Sequence, residues 1–188
     1  FHNVGWPGAA IGVLNTVAMA TFVASLQLTT VANNSIIFGT SPFMTAAIAW
    51  LMIREKPSPT TLVFAALALV GAAIVVSSSL QISARGLAGD ALAVVMTLAF
   101  AIKTVLVRKH ANHSMVPSAA IGAGLEAVVA VPFIKDWSLT SGELALFALF
   151  GIFQQGAGLI LTTIGIARLP SAEAALLIFV AAFVLIFY

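Results

Sequence analysis

Charge is scarce in this sequence, with eight Lys or Arg and six Asp or Glu, 7% of 188 residues. Soluble domains carry roughly 25%, and so few ions cannot coat a globule of this size. Cysteine is absent, which excludes disulfides and thiolate metal centres and leaves the redox compartment undecided. Of the three histidines, His110 and His113 share one short loop with no carboxylate between them. They read as solvated loop residues rather than metal ligands, and no cofactor is implied. A formal net charge of +2, without a basic run or basic–aromatic interleaving, speaks against nucleic acid. The polar faces that helices of a soluble bundle require are missing as well.

Apolar residues fill the chain instead, at 61% with a mean hydropathy of +1.13. The solvent must be lipid. A helix crossing the hydrocarbon needs about 20 largely apolar residues. Seven stretches meet or approach that length: Ala9–Leu28, Asn34–Ile53, Thr60–Ser79, Ala88–Val107, Ser118–Ile134, Leu144–Ala167 and Ala172–Phe187. None alternates as a barrel strand would. The expected fold class is therefore an all-α integral membrane protein, a multi-span helical bundle. Phe1 at the start and the apolar run at the end lead us to expect a piece of a longer membrane protein.

Short linkers make neighbouring spans antiparallel, so alternate loops share a side. One side collects Arg54, Lys56, Arg108, Lys109 and Arg168, and the other Arg85 and Lys135. The positive-inside rule points the first set to the cytoplasm. Trp50 and Trp137 suit the two interfacial belts.

The stretch from Thr29 to Val76 carries a small-polar turn (Thr29 to Asn34), then an apolar helix with Ser41-Pro42 at its centre. Ala49-Trp50-Leu51 and Glu55 close that helix, and a helix containing Gly71 follows. This order resembles the end of an EamA domain of the drug/metabolite transporter superfamily. Gly89–Ala111 is similar to the opening helix of that family's second domain, and Ala167–Leu177 to a second small-polar turn. Ala182 stands where the second proline of the family would fall.

The resemblance implies ten helices in two inverted five-helix repeats, of which this chain holds the third to ninth. Residues 1–80 would end the first repeat and 86–188 begin the second. It further implies a secondary transporter in the cell membrane, the bacterial inner membrane by expectation. Such a carrier works by alternating access and exports amino acids or related compounds. Its partners would be a small-molecule substrate, the bilayer and protons as coupling ion.

Polar groups at membrane depth are costly and mark candidate sites. Glu126 lies at the midpoint of its span, on a face shared with Ser118, Gly122 and Ala130. It reads as a proton carrier or a partner for a substrate amine, with a structural hydrogen-bonded carboxyl as the alternative. Lys103 lies nearer the cytoplasmic end, within reach of Glu126. Its apolar face favours a lysine that snorkels to the interface. Asn15 and Gln155 are equivalent at a shift of 140 residues and would line the path or bond between helices. Gly151, Gln155, Gly158, Thr162 and Gly165 fall on one stripe at α-helical spacing, which places Thr162 beside the path.

Ser41 and Pro42 mark a kink that would gate, with Thr40 and Ser41 satisfying freed carbonyls. Asn33, Asn34 and Glu173 read as helix caps. A sugar-phosphate or nucleotide-sugar carrier would need paired cavity cations, and only Lys103 is available. A structural membrane subunit needs no particular residues. An enzyme needs a cluster at one depth, and the spans offer no His and one deep carboxylate, so the expectation is no enzyme.

Overall fold

A computed structural model describes residues 5–77, 84–113, 115–134 and 140–187. The described residues form helices and connecting turns, without strands. The first span is α1 (Gly5–Leu26). The second is divided into α2 (Val31–Gly39) and α3 (Ser41–Ile53), and the third is α4 (Pro59–Val76). The fourth is α5 (Ala84–Lys109), and the fifth is α6 (Val116–Ala130), ending in a 3-10 turn, Val131–Phe133. The sixth runs from α7 (Ser141–Leu149) through a π-helical stretch, Phe150–Ala157, into α8 (Gly158–Arg168). The seventh is α9 (Ser171–Phe187).

Five of these spans are long and apolar enough to cross a membrane, and α4 and α9 are shorter apolar helices. The chain is an all-α membrane protein, as its composition requires. The Arg85 side chain, Lys135 and Trp137 lie outside the described residues.

The post of the bundle is α5. It packs most extensively on α1 and α3 and also meets α2, α8 and α9. Small residues make this approach feasible, since Ala93 and Ala101 are wholly enclosed beside Thr97, Thr104 and Val105. The threonine hydroxyls cause no loose polarity: Thr97 and Thr104 donate to the carbonyls of Ala93 and Phe100, one turn back. The outward faces of α4 and α7 are the reverse, with Val63, Phe64, Leu67, Leu146 and Phe147 exposed. Such faces are stable only against lipid or further protein.

The two ends of the bundle are fastened by different polar groups. Arg54, Lys56, Arg108, Lys109 and Arg168 gather at one, termed here the basic end. At the other, Asp90 of α5 accepts from the Thr29 hydroxyl (2.5 Å) and from the Asn33 amide (3.3 and 3.4 Å). Gly89 is needed there, because a Cβ would stand 2.7 Å from the Thr29 backbone nitrogen.

The second span is interrupted at Thr40, between α2 and α3. At Thr40 the backbone turns, with its N–H bonded to the Ile37 carbonyl at 3.0 Å, and α3 starts afresh with Pro42 in its first turn. The Thr40 hydroxyl donates to the Ile37 carbonyl (2.7 Å), as expected of a freed acceptor. The Ser41 hydroxyl does not share that task. Among the described residues it is fully buried with no hydrogen-bond partner, as is that of Thr45. Phe38, Phe100 and Phe179 pack edge-on around the break, at centroid distances of 5.2 and 6.2 Å.

The capping expectation for Asn33 and Asn34 is corrected. The N-cap is Thr30, whose hydroxyl accepts from the Asn33 N–H at 3.1 Å. One turn into the helix, the two amides are free to bond sideways, Asn33 to Asp90 and Asn34 to the Ser25 hydroxyl. Glu173 does lie in the first turn of α9, where it accepts from the Thr61 hydroxyl at 3.3 Å. In α9 the helix continues without a break past Ala182, where a proline is lacking.

Candidate functional site

Three of the residues singled out in the sequence meet inside the bundle. Asn15 is the eleventh of 22 residues in α1 and only 6% exposed. Its amide NH2 donates to Glu126 Oε1 at 2.5 Å, and its carbonyl oxygen accepts from Lys103 Nζ at 2.7 Å. One amide thus joins a carboxylate on α6 to an ammonium on α5. At 1.5 Å per residue, Asn15 and Glu126 each lie roughly 15 Å from the basic end of their helices, and the Lys103 backbone roughly 9 Å. The lysine stem spans the difference.

Lys103 therefore does not snorkel. The sequence places it on an apolar stripe, and the expectation fails because that stripe faces α1, where Asn15 offers an acceptor at the length of the side chain. Its ammonium also lies 5.3 Å from the centroid of the Phe100 ring, a cation–π distance. Desolvating a charge requires this kind of compensation.

Close helix approach permits the arrangement. A Cβ on Gly12 would come 2.8 Å from Ile121 Cγ2 and 3.2 Å from the Gly122 nitrogen, so α1 and α6 touch nearly backbone to backbone. The Thr16 hydroxyl donates to the Gly12 carbonyl one turn back in its own helix (3.1 Å) and, across the seam, to the Gly122 carbonyl (3.3 Å). Ser118 and Gly122 are buried in the seam, while Glu126 is half-buried and Ala130 exposed. The small-residue face of α6 leaves the protein at its far end. Glu126 thus stands at the margin of the packed region, reachable from beside α6.

Other candidates fall elsewhere. Thr162 is exposed on α8, and its hydroxyl bonds to the carbonyls of Gly158 and Leu159 in its own helix. The stripe that placed it beside the path assumed 3.6 residues per turn. The π-helical stretch Phe150–Ala157 breaks that count, since each of its turns holds an extra residue. Gln155 sits in this stretch, and its side chain lies outside the described residues. Ser41 and Pro42 are buried at the break between α2 and α3.

Two residues proved more central than the sequence suggested. Glu55 accepts from Arg108 Nε at 3.3 Å and from the Ser171 backbone N–H at 2.6 Å. Asp90 ties α5 to the turn before α2. Both are single carboxylates near span ends, where charge is cheap, so no depth argument marks them.

Comparison with known proteins agrees with this architecture. Residues 3–77 match the EamA-like transporter family. Solute carrier family 35 member G1 of Homo sapiens is 26% identical over 167 residues, covering 80% of this chain and 46% of the human protein. The chain spans about half the length of that relative. A protein of known crystal structure, 17% identical, overlays with a TM-score of 0.65 over 98% of this chain and 81% of its own. At that identity the likeness is one of fold. Its first helices are thus similar to the EamA-like transporter family, and most of its length is similar to a solute-carrier relative.

Proposed function

We propose that this chain forms most of the core of a secondary transporter that moves a small zwitterionic metabolite by alternating access. An amino acid or related compound is the reading the site supports best, with export as the direction. The observation that carries it is the Lys103–Asn15–Glu126 chain. Asn15 presents a carbonyl to a cation and an NH2 group to an anion. An α-amino acid presents a carboxylate and an ammonium in the same order and with stronger, charge-assisted bonds. It would replace the amide, with Lys103 holding the carboxylate and Glu126 the amine.

Further parts of the reading follow from the resemblance. Residues 1–80 and 86–188 belong to two inverted repeats, Gln155 mirrors Asn15, and the break at Thr40 to Pro42 gates. Residence is in the cell membrane, the bacterial inner membrane by expectation from the resemblance. Glu126 also serves as proton carrier when no substrate amine is bound. The matched families are transporters rather than enzymes. A sugar-phosphate or nucleotide-sugar carrier is disfavoured, because a dianion would meet one lysine and a neighbouring carboxylate.

The test is a thermal-stability scan of the purified full-length protein against amino acids, polyamines, nucleosides and sugar phosphates at pH 6 and pH 8. A ligand at 100 times its Kd stabilises by about 2.7 kcal/mol. The expected result is a shift with amino acids that vanishes in Glu126→Gln. Stabilisation by sugar phosphates alone would reverse the assignment, and a well-folded sample that no compound shifts would favour a structural subunit.

A further inference from the structure

Four elements converge at the basic end on two side chains. Glu55 follows α3, and its two carboxylate oxygens point different ways. Oε1 accepts the Ser171 backbone N–H at 2.6 Å, and Oε2 accepts Arg108 Nε at 3.3 Å. Arg108, in the last turn of α5, also donates through Nη1 to the Ala167 carbonyl at 3.0 Å. Ala167 lies at the end of α8 and Ser171 opens α9, so the pair grips the α8–α9 turn from both sides. Directly beneath lies an apolar cluster of Ile11, Val107, Met115, Ile166 and Ala174, each at most 4% exposed. On the far side of this plug, at greater depth, stand Lys103, Asn15 and Glu126.

We propose that Glu55 and Arg108 form a latch that closes the basic end over the polar triad, and that its release is what opens a path to the triad from that end. The inference rests on the alternating-access reading. Glu55 and Arg108 are gate residues in it and do not touch the substrate.

The physical case is threefold. First, the bonds are of a reversible kind: both side chains are partly exposed, at 21% and 32%, so water can replace each partner when the turn moves. Second, the grip is on backbone groups of the α8–α9 turn, so it restrains the turn as a body instead of one rotamer. The Ser171 N–H is a free donor of the first helical turn, and a carboxylate there also meets the positive end of the helix dipole. Third, the covered plug is apolar, so packing among its side chains supplies no directional bond that would hold the turn in one place. Losing a charge-assisted bond of this type alters an open–closed equilibrium by about 10-fold or more.

The 188 residues contain no cysteine, which makes thiol accessibility a direct readout. In the full-length protein, with any cysteine beyond these residues replaced by serine, Ala174→Cys places a thiol in the plug. Lys56→Cys, exposed at the same end, identifies the vesicle side that faces it. A membrane-impermeant maleimide is added from either side.

Glu55→Gln should raise the labelling rate at position 174 by about 10-fold or more from the basic side and leave it unchanged from the other. Arg108→Lys, which keeps the charge and loses the second bond to Ala167, should give a smaller rise of the same sidedness. The Arg108→Lys comparison stands alone if Glu55→Gln does not fold. Unchanged labelling in variants that elute as folded protein would overturn the latch, as would an equal rise from both sides, which is general loosening. Neither outcome bears on ligand stabilisation, so failure here and failure of the transport reading are distinguishable.

Discussion

At the scale of single residues, the site turns on an uncharged side chain. Asn15 holds apart two groups of opposite charge that it also connects, and it is the most deeply buried of the three. Replacing it by Leu keeps the volume and removes both bonds, leaving Lys103 without its acceptor. Asn15→Leu should destabilise the protein by about 1–3 kcal/mol and abolish stabilisation by ligands, as read by thermal unfolding. Thr162→Val provides the contrast. Its hydroxyl bonds only to its own helix on an exposed face, so the change should stay within about 0.5 kcal/mol.

Depth made Glu126 and Asn15 legible in the sequence, because a polar group in mid-span demands an explanation. Lys103 was harder to place: its own helix face is apolar, and the acceptor that captures it comes from a helix 88 positions away in sequence. Periodicity along one segment does not carry such information.

At the scale of elements, two of seven spans depart from a regular helix, for different reasons. The break at Thr40 has a local cause, visible in Thr40-Ser41-Pro42. The helix α9, which contains no proline, runs without a break. The π-helical stretch at Phe150–Ala157 has no proline to announce it, and it undid the stripe that included Thr162. Span positions came through well because they follow from hydropathy alone, whereas caps and packing faces depend on neighbours.

Glycines show that dependence. Gly89 and Gly124 look alike in sequence, yet a Cβ on Gly89 meets Thr29 and Leu28 backbone atoms at 2.7 and 2.9 Å, and one on Gly124 meets nothing within 4 Å. Gly89→Ala should cost about 1–3 kcal/mol by forcing α5 from the turn. Gly124→Ala should be neutral or stabilising by up to about 1 kcal/mol, since Ala is the better helix former. Paired unfolding curves in one detergent decide both.

For the whole molecule, lipid reverses the usual reading of burial. The exposed apolar faces of α4 and α7 are its solvent-matched surface, and the interior is built from small residues around α5, where Thr97 and Thr104 bond within their own helix. Attraction between helices here cannot come from hiding oil from water, because lipid tails are as apolar as the side chains. It comes from close contact at Gly12, Gly89 and Gly122 and from a few polar ties: Asp90 at one end, Asn15 in the middle, Glu55 and Arg108 at the other. That arrangement predicts a sharp pattern of lipid access. A carbene-generating lipid probe in vesicles should label peptides containing Val63, Phe64 and Leu67 of α4 and Leu146 and Phe147 of α7. It should spare Ala93, Ala101 and Val105 of α5. Labelling of α5 at levels near those of α4 would contradict a central α5. Labelling of α4 without α7 would show that another segment covers α7 in the membrane. The polar ties make a second demand on the same experiment. If the triad reaches lipid only at the margin of α6, label there should be confined to the far half of that helix, beyond Glu126 at Val128 and Val129, and absent from Ser118 and Gly122 in the seam with α1.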